Sequence, residues 1–135
     1  MQEAIIVDID GTLATICDRS PYDYPKAIGD KLNDHVKQII DKFKKTHEII
    51  ILTGRDEECK DVTLEWLNLH DIDYDEVYMR EHNDRRADDI VKKEIYKRHI
   101  QGHFNVTFVL EDRDRVVKMW RDIGLKCLQV NYGNF

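Results

Sequence analysis

Long apolar runs are missing from this chain. No stretch reaches the roughly 18 apolar residues that mark a membrane-spanning helix. The start, Met1-Gln2-Glu3-Ala4-Ile5, has neither the basic opening nor the apolar core of a secretory signal. Membrane insertion and export are therefore not expected, and the sequence reads as that of a cytoplasmic protein. Cysteine is scarce. Cys17, Cys59 and Cys127 are odd in number, far apart and free of any Cys-x-x-Cys pair, so neither a disulfide framework nor a zinc knuckle is indicated. Positive charge is also short, with 21 Lys and Arg against 27 Asp and Glu and a formal net charge of -6. That balance argues against binding nucleic acid chiefly by neutralising a long phosphate backbone, and leaves room for a small, local phosphate site. What is present, 135 residues that are 36% charged and 41% hydrophobic, describes one compact domain over residues 1-135.

Four short apolar runs read as buried strands: Glu3 to Ile9, Glu48 to Thr53, Asn105 to Leu110 and Lys126 to Val130. Between them lie helical stripes. The first is Val36, Ile39, Ile40 and Phe43 behind an Asn33 cap, the second Cys59, Val62, Trp66 and Leu69. A third holds Ile90, Val91 and Ile95, and a fourth holds Val116, Trp120 and Ile123, closed by Gly124 as C-terminal cap. Strands alternating with helices predict an α/β fold built on a parallel sheet with helices on both faces. Ala14 to Asp30, with Pro21, Pro25 and Gly29, reads as a long loop or small lid after the first strand.

In such a sheet the functional groups gather outside the carboxyl ends of the strands. There the sequence places Asp8 and Asp10, then Thr53-Gly54-Arg55, then Glu111-Asp112-Arg113. Asp8 and Asp10, two apart on an extended backbone, point to one side and repel, so a proton or a cation belongs between them. A hard divalent ion, magnesium above all, suits such oxygen ligands, with Asp112 adding a carboxylate from the neighbouring strand. Thr53 and the N-H groups after it offer hydrogen bonds to phosphate oxygens, and a Lys of the third helix offers the balancing charge. Together they suggest phosphoryl transfer through a carboxylate nucleophile. Taken singly, Asp-x-Asp-Gly also marks turns and calcium loops. A calcium loop, however, needs oxygen ligands at alternating positions, and here Leu13, Ala14 and Ile16 follow.

The run Val7-Asp8-Ile9-Asp10-Gly11-Thr12-Leu13, with Leu52-Thr53-Gly54-Arg55, Lys92 and Glu111-Asp112, resembles the four motifs of the haloacid-dehalogenase (HAD) phosphatase superfamily. Ser20-Pro21-Tyr22-Asp23, Arg80-Glu81, Arg86, Asp88-Asp89-Ile90-Val91-Lys92, Glu94-Ile95, His99-Ile100 and the ending Gln129 to Phe135 resemble, within it, the phosphatase half of phage polynucleotide kinase-phosphatases. The likeness runs from about Ile6 to the last residue. It implies a Rossmann-like, HAD-like sheet with a small lid, and a magnesium-dependent polynucleotide 3′-phosphatase of end repair. By this resemblance Asp8 attacks phosphorus and becomes an aspartyl-phosphate, while Asp10 protonates the leaving 3′-oxygen and then activates water. Thr53 and Lys92 hold the transferred phosphoryl group. Magnesium is held by Asp8, the main-chain carbonyl of Asp10, and Asp112. Arg19, Arg55, Gly54 and Arg86 fall to substrate binding, with Arg19 and Arg55 alternatively holding the neighbours of Asp10 in place.

Three departures from the pattern stand out. Glu111 replaces an Asp, and is expected to reach magnesium through a water or to stand behind the direct ligands. Ala87 replaces a basic residue. Nothing resembles Gly-x-x-x-x-Gly-Lys-Ser/Thr, so no kinase half is expected in this chain. The substrate implied is a DNA or RNA 3′ end, and a separate kinase or ligase is the partner class that goes with it. Two alternatives remain: a phosphatase of mononucleotides using the same residues, and a non-catalytic binding module.

Overall fold

Period-two alternation sorts the apolar strand residues onto two opposite faces of one sheet, and each face is then covered by helices. The computed structural model describes all residues, Met1–Phe135. The main sheet consists of β1 (Gln2–Val7), β4 (Glu48–Asp56), β5 (Glu76–Arg80), β6 (Phe104–Glu111) and β7 (Cys127–Gln129), in the order β5-β4-β1-β6-β7. Every pairing in it is parallel. Ile5 and Val7 of β1 with Ile49 and Ile51 of β4 face α1 (Asp34–Phe43) and α2 (Lys60–Leu69), through Val36, Ile40, Trp66 and Leu67. Ala4, Ile6, Ile50 and Leu52 face the other way, onto α4 (Asp114–Asp122) and the turn after α3 (Asp88–Ile95), through Val116, Trp120, Tyr96 and Ile100. Each fully buried Ile contributes about 2 kcal/mol of transfer free energy, so neither face tolerates a polar residue.

The parallel sheet, the helices on both faces and the Gly124 cap, at φ +95, agree with expectation. Four details differ. β5 carries no long apolar run, and all five of its residues are only half-buried, as befits an edge strand. β1 leaves the ladder after Val7 rather than Ile9, because the chain turns at once through Gly11, with Thr12 N and Ala14 N both donating to Ile9 O. The lid is not all loop. β2 (Ala14–Thr15) pairs antiparallel with β3 (Lys31–Leu32), and a 3-10 turn over Tyr24–Gly29 packs on α2. Asn33 stands at the cap position of α1, yet its side chain does not cap. It accepts from Thr15 Oγ1 at 2.8 Å and donates to Thr12 O at 2.9 Å, binding lid to motif instead.

Candidate active site

Three chain segments converge at the carboxyl edge of β1 and β6. Asp8 follows β1, Lys92 rises from α3, and Glu111 and Asp112 lie at the end of β6. Lys92 is buried and donates from Nζ to Asp8 Oδ1 at 2.8 Å and to Glu111 Oε2 at 2.9 Å. Helix phase thus selects Lys92 over the half-buried Lys93. Thr12 Oγ1 lies 3.1 Å from Asp8 Oδ2 and 3.2 Å from Asp112 Oδ1, and its one proton serves a single carboxylate at a time. Asp8 and Glu111, with Asp88 Oδ2 at 3.6 Å, face the one ammonium of Lys92, and Asp112 joins the cluster through Thr12. Burial, with Glu111 adding repulsion, pushes the Asp8 carboxyl up to about 8. Burial and the Asp8 charge push Asp112 up to about 7. Lys92 goes the other way from a lone buried amine: burial opposes its charge, but the surrounding carboxylates outweigh it and hold its pKa well above the ordinary value.

Asp10 stands apart from this cluster. Arg55 grips it at two points, Nε to Oδ2 at 3.0 Å and Nη2 to Oδ1 at 2.6 Å. The same guanidinium reaches Thr63 Oγ1 at 3.1 Å and Asp30 Oδ2 at 3.3 Å. Of the two roles expected for Arg19, clamping substrate or holding the surroundings of Asp10, its contacts match the second. Nε and Nη2 hold Asp30 at 2.8 and 2.7 Å, and Nη1 holds Ser20 O and Pro21 O, leaving Asp10 at 3.8 Å. Arg19 and Arg55 therefore position Asp10 from a shared buried anchor, Asp30. The proton or cation expected between Asp8 and Asp10 is replaced by separate cationic partners, Lys92 for Asp8 and Arg55 for Asp10.

Thr53-Gly54-Arg55 lies within β4, not beyond it, but pairing with β5 is irregular between Leu52 and Asp56. That break in the ladder turns Thr53 and Arg55 inward. Thr53 is buried, and its Oγ1 accepts from Arg55 N at 3.2 Å, leaving the hydroxyl proton free to donate. Gly54 is required for packing: a Cβ there would overlap Asp88 Oδ1. Asp88 in turn faces Arg80 Nη2 at 3.3 Å, Lys92 Nζ at 3.6 Å and Arg113 Nη1 at 3.8 Å. Arg86 does not join the site. It is exposed, and its guanidinium is held between Asp84 and Glu94 at 2.8 and 2.6 Å.

A cation fits the donor set. Asp8, Glu111 and Asp112 offer carboxylate oxygens that lie within 4.8 Å of one another, all buried. Hard oxygen ligands with surplus negative charge match magnesium chemistry. Glu111 accepts from Lys92 and from Asp112 N at 3.2 Å, Asp8 accepts from Lys92 and shares Thr12 with Asp112, and each of these oxygens keeps a further lone pair for a cation. The Asp10 carboxylate is not one of this group and is turned to Arg55. Asp30, Thr63 and Asp88 are the residues that sequence reasoning did not single out for a role. Asp30 closes an irregular stretch, where no periodicity reports burial, and Thr63 looks like any polar residue of a helix.

A family model described as the polynucleotide kinase PNKP phosphatase domain matches residues 2–135. A protein of Autographa californica nuclear polyhedrosis virus, carrying the provisional description bifunctional polynucleotide kinase/RNA ligase, is 32% identical over 126 residues. That match takes in 90% of this chain and 18% of the viral protein. Among solved structures, a chain of a Pnkp1/Rnl/Hen1 complex superposes with a TM-score of 0.97 at 42% identity, over 100% of this chain and 48% of that one. A second, from a Pnkp1/Rnl/Hen1 RNA repair complex, gives 0.96 at 42% identity, over 99% and 44%. This chain thus spans less than half the length of these relatives. The HAD domain of the effector protein Lem4 of Legionella pneumophila, 13% identical with a TM-score of 0.58 over 98% and 86%, shares the fold.

Proposed function

Because the chain belongs to the family of the polynucleotide kinase PNKP phosphatase domain, phosphoric monoester hydrolases of HAD-like fold, we propose that it removes the terminal phosphate from the 3′ end of a nucleic-acid strand. The observation that carries this reading is the pairing of Asp8 with Lys92 in one buried cluster while Asp10 is held separately by Arg55. The two carboxylates are thereby given different work.

Asp8 attacks phosphorus, and the bond to the 3′-oxygen breaks as Asp10 supplies a proton to that leaving oxygen. The phosphoryl group now sits on Asp8. Asp10, left as the base, takes a proton from water, whose oxygen attacks phosphorus and releases inorganic phosphate. Lys92 and the Thr53 hydroxyl hold the phosphoryl oxygens through both steps. Magnesium belongs with Asp8, Asp112 and the main-chain carbonyl of Asp10, and when bound it draws charge off the phosphoryl oxygens. Glu111 acts through Lys92. The lid, tied down by Arg19, is too small to enclose a metabolite, which suits the exposed end of a polymer. One solved relative carries RNA repair in its description and the viral relative carries RNA ligase, so an RNA 3′ end in the company of a ligase is the first substrate and partner to try.

The test is phosphate release, with and without magnesium, from 3′-phosphorylated RNA and DNA oligonucleotides, a 3′-mononucleotide and a 5′-phosphorylated oligonucleotide, with Asp8→Asn as blank. Preference for a 3′-phosphorylated oligonucleotide is expected. Preference for the mononucleotide would keep the chemistry and overturn the polymer substrate. No release from any of them would leave a binding module.

A further inference from the structure

The tail after β7 turns beneath the Glu111–Asp112 corner and is fastened there. Val130 N donates to Glu111 O at 3.0 Å and Asp114 N to Gly133 O at 2.9 Å. Gln129 Nε2 donates to Asp112 O at 2.8 Å and to Asp114 Oδ1 at 2.7 Å. Arg113 donates to Phe135 O at 3.0 Å, and its guanidinium lies 5.0 Å from the centre of the Phe135 ring. Gly133 approaches the Asp112 carbonyl so closely that any side chain would collide with it. From this secured segment one ring stands clear: Tyr132 is 97% exposed, and its hydroxyl has no hydrogen-bond partner within the chain. It borders an open depression of about 490 Å³ that Asp114, Gln129, Asn131 and Asn134 also line.

Position and chemistry both bear on what this depression receives. It lies at the carboxyl end of β7, one strand from the β6 end that carries Asp112. On the opposite flank, above β4, the lid is packed on α2 and tied down by Arg19 and Asp30. The β7 end thus offers a strand whose end reaches Asp8 a course that the lid does not cover. The lining offers amides, a phenol and the Asp114 carboxylate with no Lys or Arg, so it is unsuited to a phosphate group. A nucleobase matches it, because its flat face stacks on an aromatic ring and its edge pairs with amide donors and acceptors. A ring already held on an ordered backbone loses little freedom on binding.

We propose that Tyr132 and the depression beside it form a nucleobase subsite, seating a base near the 3′ end whose phosphate reaches Asp8. This rests on the polynucleotide substrate argued above. Two measurements test it. Tyr132→Ala is expected to raise KM for a 3′-phosphorylated oligonucleotide about tenfold, with Tyr132→Phe restoring it, and the penalty should shrink on an oligonucleotide abasic at its last positions. An equal penalty on both substrates, no penalty, or Tyr132→Phe as poor as Tyr132→Ala would overturn the subsite. Photo-crosslinking of the Asp8→Asn protein to a 3′-phosphorylated strand bearing 4-thiouridine should place the adduct within Asn131 to Asn134. Adducts elsewhere, while the unaltered protein releases phosphate from oligonucleotides, would overturn the subsite alone. No release from oligonucleotides would overturn the substrate reading and the subsite with it.

Discussion

Arg19 and Asp30 meet in a two-point pair, Nε to Oδ1 at 2.8 Å and Nη2 to Oδ2 at 2.7 Å, with both side chains fully enclosed. Asp30 also reaches Arg55 and, through its carbonyl, Trp66 Nε1 at 2.9 Å. One buried residue thus ties lid and β4 by its carboxylate, and α2 by its carbonyl, behind Asp10. Asp30→Ala leaves two guanidiniums short of a partner and is expected to cost about 3 kcal/mol of stability, read by urea denaturation. It should also lower kcat for phosphate release, since Asp10 loses its bearing.

Asp8→Asn is expected to abolish turnover with the circular dichroism spectrum unchanged, because an amide cannot attack phosphorus. Asp10→Asn should slow both steps by on the order of 10² to 10⁴-fold. Rapid-quench kinetics would separate them. Retained activity in either variant would refute its assigned role.

Asp8 and Asp112 carry pKa values raised from 3.8 to about 8 and about 7. Between those limits the folded chain binds more protons than the unfolded one, so these groups withdraw stability as pH rises from about 4 to 8. A divalent cation must displace the same protons. Thermal melts in EDTA should therefore fall over that window and melts in magnesium should fall less, with magnesium affinity by calorimetry rising from pH 6 to pH 8. A flat affinity would contradict the buried carboxylate pair.

Lys92→Met keeps the volume of the side chain and removes the ammonium that faces Asp8 and Glu111. A fall in kcat on the order of 10² to 10³-fold is expected. Melting in EDTA should become more pH-dependent than in the unaltered protein, because no cation remains to favour the ionised carboxylates.

Arg86→Ala, by contrast, should change phosphate release less than twofold. Its guanidinium is occupied by Asp84 and Glu94 at the surface. A tenfold loss on oligonucleotides would return the Arg80 to Arg86 segment to the substrate path.

Several site residues were legible because they follow apolar strands. Asp8, Thr53 and Asp112 sit at or near strand ends, where a parallel sheet collects its ligands, and Lys92 was selected by its neighbours Asp88 to Val91. Arg19 was found with two roles open, the substrate or the surroundings of Asp10, and only the structure shows that Asp30 occupies its donors. β5 was missed because an edge strand covered on one side needs no continuous apolar run. Asn33 was placed correctly at the start of α1, yet its side chain is used across the lid.

Sequence alone determined the alternation of four buried strands with four helices, the helices on both faces of the sheet and the acids at its carboxyl edge. These follow from period and from local turn chemistry, which act between neighbours along the chain. Tertiary structure decided which acid belongs to which cation: Asp8 to Lys92, Asp10 to Arg55, Asp30 to Arg19. Those pairings join residues 11 to 84 positions apart. In the low-dielectric interior their distances, rather than their order in the chain, set the energy and therefore the roles.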